Sequence, residues 1–268
     1  MVNSKVVLIP EATILPGDIK TLSSKIEYKR NWILDHLLME LLALALAPVV
    51  FLFTYVYLKD RYEREPLKYL IITFIWGVFT AFPVLFISEQ LQTYTNIDMH
   101  TAPLIYAFFY VALVEEGMKY LVLRWYNYPH KEFDEPYDGI MYGVAVSLGF
   151  AAIENVMYVV YSGGDPYQTG IGRMFTAVPA HCMFGVLMGY YVGRAKFLTQ
   201  GSHLLERWKG LGAAVLFHGL YDYFLFLGKE FYVPFAIFTL MIGIFLARKA
   251  ILQHVEISPH RDPFDNDI

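Results

Sequence analysis

Two adjacent glutamates, Glu115 and Glu116, and a lysine one turn later, Lys119, interrupt an otherwise apolar run over residues 104–125. At the centre of a bilayer each such charge costs at least about 2.5–3.5 kcal/mol on insertion scales, so three within five residues mark a candidate functional site. Further polar groups stand in later apolar runs: Phe150, Glu154, Asn155 and Tyr158 in one, His181 in the next, and His218 with Asp222 in a third. Residues four apart share a helix face, so Glu115 lies under Lys119, Phe150, Glu154 and Tyr158 form one stripe, and His218 lies beside Asp222. Carboxylates and two imidazoles, with no Ser/Lys or Asp/Asp arrangement, suit the activation of water.

Two versions of that chemistry fit the residues. In one, Glu154, His181 and His218 supply a His₂Glu ligand set of the kind that holds catalytic zinc, Glu115 or Glu116 takes the proton of the water, and Asp222 orients His218. In the other there is no metal: a glutamate and a histidine polarise the water, and His218 with Asp222 or Asn155 stabilises the oxyanion. No HExxH motif is present to favour zinc. The competing structural reading treats Glu115 and Lys119 as a simple ion pair, Glu154 with Asn155 as interhelical glue, and His218 with Asp222 as a self-satisfied pair. It leaves Glu116 without a partner, because one lysine does not neutralise two carboxylates.

The elements that position these groups are transmembrane helices. The chain has 268 residues, 56% hydrophobic and 17% charged, with mean hydropathy +0.41, and its apolar residues come in long blocks. Spans of roughly 20 residues fit at 37–58, 69–91, 104–125, 140–161, 174–193, 211–228 and 231–252. This describes an all-α polytopic bundle of about seven spanning helices: an extramembrane extension over 1–36 with little structure of its own, a transmembrane domain over 37–252, and a tail over 253–268. Gly185, Gly189 and Gly193 follow His181 at intervals of four and form a small-residue stripe for close helix packing. Cys182 is the single cysteine, so neither an intrachain disulfide nor a thiolate zinc cluster is available. A net charge of −4 with scattered basic residues argues against a nucleic-acid partner.

Lys and Arg number four each in the loops 59–68 and 194–210, one in 126–139 (Lys131) and three towards the C-terminal end (Arg248, Lys249 and Arg261), while 92–103 carries none, 162–173 only Arg173 and 229–230 only Lys229. The positive-inside rule puts the first set in the cytoplasm, the C-terminus with it and the N-terminus outside, although Lys20, Lys25, Lys29 and Arg30 dissent. Counted from the outer ends of their spans, Glu115, Glu154, His181, His218 and Asp222 all fall roughly 9–17 Å deep, a level at which they can surround one cavity. The 162–166 segment, Ser162 to Pro166, is a loop over that cavity.

Taken together the motifs become specific. EExxK at Glu115–Lys119, FxxxExxxY at Phe150–Tyr158, the lone His181 and HxxxD at His218–Asp222 resemble, in order and spacing, the PrsW family of bacterial intramembrane proteases. The charged loop at 60–66 is similar to that family too, and the resemblance covers about 37–252. A remoter likeness is to the CAAX prenyl proteases and bacteriocin-immunity membrane proteases, but Glu154 stands where those carry histidine and Asp222 where they carry asparagine. The resemblance implies an endopeptidase of glutamic or metallo type in a bacterial cell membrane. It would cleave a membrane-anchored protein, such as an anti-sigma factor, near its extracytoplasmic side. The rival class is a proton-coupled transporter or channel, since buried Glu, His and Asp also build proton relays; no inverted repeat supports it. A third is a scaffold that keeps the fold without the activity.

Overall fold

The computed structural model describes residues 16–161 and 163–261, with side chains described from Glu27 onward. The described residues divide between a unit that ends at Glu40 and a larger compact unit from Leu41 onward, which holds every candidate site residue. The described elements are helical. α1 is Pro16–Lys59 and α2 is Leu67–Thr95. α3 covers 103–127 and has an α-helical centre, Leu113–Val122, between π-helical turns at Tyr106–Ala112 and Leu123–Asn127. α4 is Pro136–Tyr161, α5 is Pro166–Phe175, α6 is Ala177–Phe197, α7 is His203–Phe226 and α8 is Val233–Glu256.

All seven expected spans fall on helices, with 174–193 running from the end of α5 into α6. Among the described residues, five segments are long and apolar enough to cross a membrane by themselves: Glu27–Lys59, Leu67–Thr95, Pro136–Tyr161, Pro166–Phe197 and Glu230–Glu256. The two helices outside that set are α3 and α7, which carry Glu115, Glu116 and Lys119 and His218 with Asp222 respectively.

Two expectations are corrected. Residues 16–36 are helical rather than unstructured: Pro16 sits where a first-turn proline is tolerated, and after Gly17 no glycine or proline interrupts the chain before Pro48. Residues 1–15 of that extension lie outside the described residues. The 162–173 segment is mostly helix, because Asp165 caps α5 by accepting from the backbone N–H of Tyr167 at 2.9 Å and of Gln168 at 3.3 Å. Ser162 lies outside the described residues, and Gly163 turns the chain with φ +75.

α4 is the central helix, buried without a break from Pro136 to Ala152. It lies against α6 through facing glycines: a Cβ on Gly139, Gly189 or Gly193 would collide with backbone of the opposite helix, as would one on Gly143 or Gly185. Against α2 the same holds for Gly77 and Gly149. Lipid gives no hydrophobic drive to helix association, so this close backbone approach, with its dispersion contacts, holds the three helices together. It also fixes His181 of α6 beside Glu154 of α4.

The 60–66 loop is an anchor as well as a connection. Glu65 Oε2 accepts from Tyr142 Oη of α4 at 2.6 Å, Tyr137 Oη donates to the Val56 carbonyl at 3.0 Å, and Ser258 Oγ donates to Glu135. These bonds tie the end of α1, the start of α4 and the segment after α8 into one assembly at this end of the bundle.

Candidate active site

Glu115, Glu154, His181, His218 and Asp222, from α3, α4, α6 and α7, line one cavity of about 580 Å³, with Phe150, Tyr158 and Arg173. The π-helical turns on either side of the α3 centre each add a residue to the helical repeat and so reset the face on which Glu115 and Glu116 lie.

A continuous chain of polar contacts crosses the site. Lys119 Nζ lies 2.7 Å from Glu116 Oε1, 3.4 Å from Glu115 Oε2 and 3.2 Å from His181 Nδ1. An ammonium only donates, so His181 accepts at Nδ1 and is left with the N–H at Nε2, which donates to Glu154 Oε2 at 2.8 Å. Glu154 Oε2 also accepts from Arg173 Nη2 at 2.8 Å. His218 points Nδ1 at Glu116 Oε1, 2.9 Å away, and Nε2 at Asp222 Oδ2, 3.2 Å away. With both carboxylates ionised, both ring nitrogens of His218 donate and the imidazole carries a positive charge.

Aromatic rings complete the walls. The Lys119 ammonium sits 4.2 Å from the Phe150 ring centre, Phe184 stacks on His218 at 4.6 Å, and the Arg173 guanidinium covers Tyr158 at 4.0 Å. Charge is nearly balanced: Glu115, Glu116, Glu154 and Asp222 face Lys119, Arg173 and His218, which leaves one carboxylate in excess.

Lys119 reaches both glutamates and so gives Glu116 the partner that the ion-pair reading denied it. The two glutamates are nonetheless unequal. Glu115 lines the cavity and its side chain keeps 10% exposure, whereas the Glu116 side chain is fully buried behind it. Asn155 is turned away: Nδ2 donates to the Ala45 carbonyl at 2.7 Å and Oδ1 accepts from Arg173 Nε at 2.7 Å, so it braces helices instead of offering a donor to an oxyanion.

The donor atoms that converge also differ from the set Glu154, His181 and His218. Buried atoms of Glu115, Glu116 and His218 lie within 4.8 Å of one another, while both nitrogens of His181 are engaged by Lys119 and Glu154. Two carboxylates and an imidazole suit zinc or a similar divalent ion, and Glu116 Oε2 is buried without a hydrogen-bond partner among the described residues, so the group fits there. Arg173 and Phe184 escaped the sequence reading. Arg173 had one available signal: it is the sole basic residue of the 162–173 segment, about two helical turns ahead of His181. Phe184 had none, being one phenylalanine among 21.

A family model described as PrsW family intramembrane metalloprotease matches residues 65–248. Among curated proteins named Protease PrsW, that of Geobacillus kaustophilus is 40% identical over 190 residues, covering 71% of this chain and 81% of the relative. That of Bacillus subtilis is 35% identical over 215 residues, covering 78% and 95%, and that of Clostridioides difficile is 34% identical over 221 residues, covering 81% and 91%. No solved structure matches the chain. Motifs on four helices, their meeting around one cavity, and these relatives agree: the chain belongs to the PrsW family and is an intramembrane protease.

Proposed function

We propose that the enzyme cleaves a peptide bond of a membrane-anchored protein, with Glu115 as the general base that activates water. The observation that carries this reading is the inequality of the two glutamates. Glu115 opens onto the cavity, while Glu116 is buried and held by Lys119 at 2.7 Å and His218 at 2.9 Å. Glu115 is also the carboxylate whose lysine contact is longest, at 3.4 Å, and it is therefore the freest to take a proton. Glu116 fixes Lys119 and His218 in place. His218, lining the cavity and held by Asp222, offers positive charge to the oxyanion that forms as water adds to the carbonyl.

A divalent metal, when bound, would polarise the carbonyl and make water more acidic; Glu115, Glu116 and His218 are the residues that would hold it, and the roles of free base for Glu115 and cationic oxyanion partner for His218 belong to the enzyme without it. Asp222 would then orient His218 from behind. Glu154 and His181 orient Lys119 from the other side, and Arg173 is a positioning residue that fixes Glu154.

The protease unit is residues 37–252 in a bacterial cell membrane, with the N-terminus outside, the C-terminus in the cytoplasm and the cavity nearer the outer surface. The distribution of Lys and Arg among the loops supports this orientation. The substrate class is a single-span protein of the anti-sigma-factor kind, entering laterally and cut near its extracytoplasmic side. Purified enzyme reconstituted with such a substrate provides the test: Glu115→Gln lowers kcat by about 10²–10⁴-fold while the protein stays folded. Full activity in Glu115→Gln with loss in Glu116→Gln overturns the choice of base, and full activity in both, and in His218→Ala, overturns the site.

A further inference from the structure

At the opposite end of the bundle, α6, α7 and α8 line another, half-open cavity of about 250 Å³ that the proteolytic reading does not use. Its composition is graded along the helices. Phe217 and Leu246 lie among its apolar walls, while Arg194, Lys249, Tyr190 and Gln253 line it nearer the ends of α6 and α8. Arg194 and Lys249 fall within the last three turns of their helices, and α7 begins at His203 on the same side, so the charged end is the end nearest the membrane surface.

Neither cation is held in a close ion pair among the described residues, although the Arg194 guanidinium lies over the Tyr190 and Tyr191 rings at 5.6 and 6.0 Å. Arg194 approaches Glu206 only at 3.9 Å, and Glu206 is itself held by Lys209 at 2.5 Å. Lys249 makes no ion pair among the described residues. Tyr190 Oη donates to Gln253 Oε1 at 2.9 Å, which leaves the Gln253 amide N–H groups free to donate.

We propose that this cavity binds one anionic phospholipid, its phosphate between Arg194 and Lys249 and an acyl chain along Phe217 and Leu246. The apolar part favours a chain, two cations lining one cavity favour net negative charge over a zwitterionic headgroup, and their place towards the ends of α6 and α8 is where a headgroup would lie. The inference is independent of the protease mechanism.

The test is a lipid titration of the full-length, delipidated protein by native mass spectrometry, with phosphatidylglycerol and phosphatidylcholine of equal chain length. One phosphatidylglycerol binds in preference to phosphatidylcholine. Binding weakens about fivefold on Arg194→Gln or Lys249→Gln and about thirtyfold when both are changed. The Arg194→Lys/Lys249→Arg pair keeps the charge and the preference, and Lys229→Gln, in the loop before α8, leaves both intact. Equal binding of the two lipids, or no effect of the double Gln variant, overturns the proposal. Equal competition by inorganic phosphate or by headgroup lacking acyl chains also overturns it, because the site would then recognise phosphate alone.

Discussion

Lys119→Met is the sharpest test of the site's electrostatics. Lys119 and Glu116 are both fully buried, 2.7 Å apart, with Glu115 3.4 Å from the same ammonium. At an effective dielectric near 20 these separations correspond to gross attractions of about 6 and about 5 kcal/mol, much of which is offset by the cost of taking the ions out of water. Removing the lysine recovers none of the desolvation cost of the two carboxylates, so the expected loss is that of breaking a buried pair, about 3–5 kcal/mol. At about 2–4 °C per kcal/mol for a chain of this size, melting in detergent at a fixed scan rate should fall by about 6–20 °C. The double variant Glu116→Gln/Lys119→Met removes the more deeply buried of the two stranded charges and should recover a large part of that fall, although His218 then faces a neutral amide oxygen where it had a carboxylate. A single variant melting within about 2 °C of wild type, or a double variant no better than the single, would refute the buried-pair account.

Two further expectations concern the surroundings. Arg173 holds Glu154 without being a proton donor to substrate in the proposed scheme, so Arg173→Gln should lower kcat about 10–100-fold with little change in KM, and Arg173→Lys should restore part of it; a KM effect with unchanged kcat would make Arg173 a substrate contact instead. In the 60–66 loop, burial and neighbouring acids push Asp60 and Glu65 up from 3.8 and 4.5 to about 7. A raised carboxyl contributes stability that is fully present below about pH 4 and lost as pH rises through about 7. Glu65→Gln, which keeps an acceptor for Tyr142, should therefore match wild type at low pH and melt about 2–4 °C higher above neutrality; the same difference at both pH values would sink the argument.

The sequence by itself determined the class of the molecule and marked the candidate residues of its site. Long apolar blocks permit little but membrane helices, because backbone polar groups in lipid must be satisfied within the segment. The cost of Glu115, Glu116, Glu154, His181, His218 and Asp222 in such blocks made them conspicuous. Helical periodicity also exposed the glycine stripe on α6. It did not expose the helix at 166–175, where Asp165 and Pro166 read equally well as a turn.

Only the tertiary structure decided which groups meet. The difference between Glu115 and Glu116 depends on the α3 face that the π-helical turns present to α6 and α7, and no local spacing encodes it. The convergence of Glu115, Glu116 and His218, in place of Glu154, His181 and His218, follows from the depth to which glycine-mediated contact draws α6 onto α4 and leaves His181 between Lys119 and Glu154. Arg173 reaches Glu154 across 19 residues of chain because α5 folds back over the end of α4. Residue type and local period state what each side chain offers, but partners brought together from separate helices are set by packing, and packing is a property of the assembled bundle.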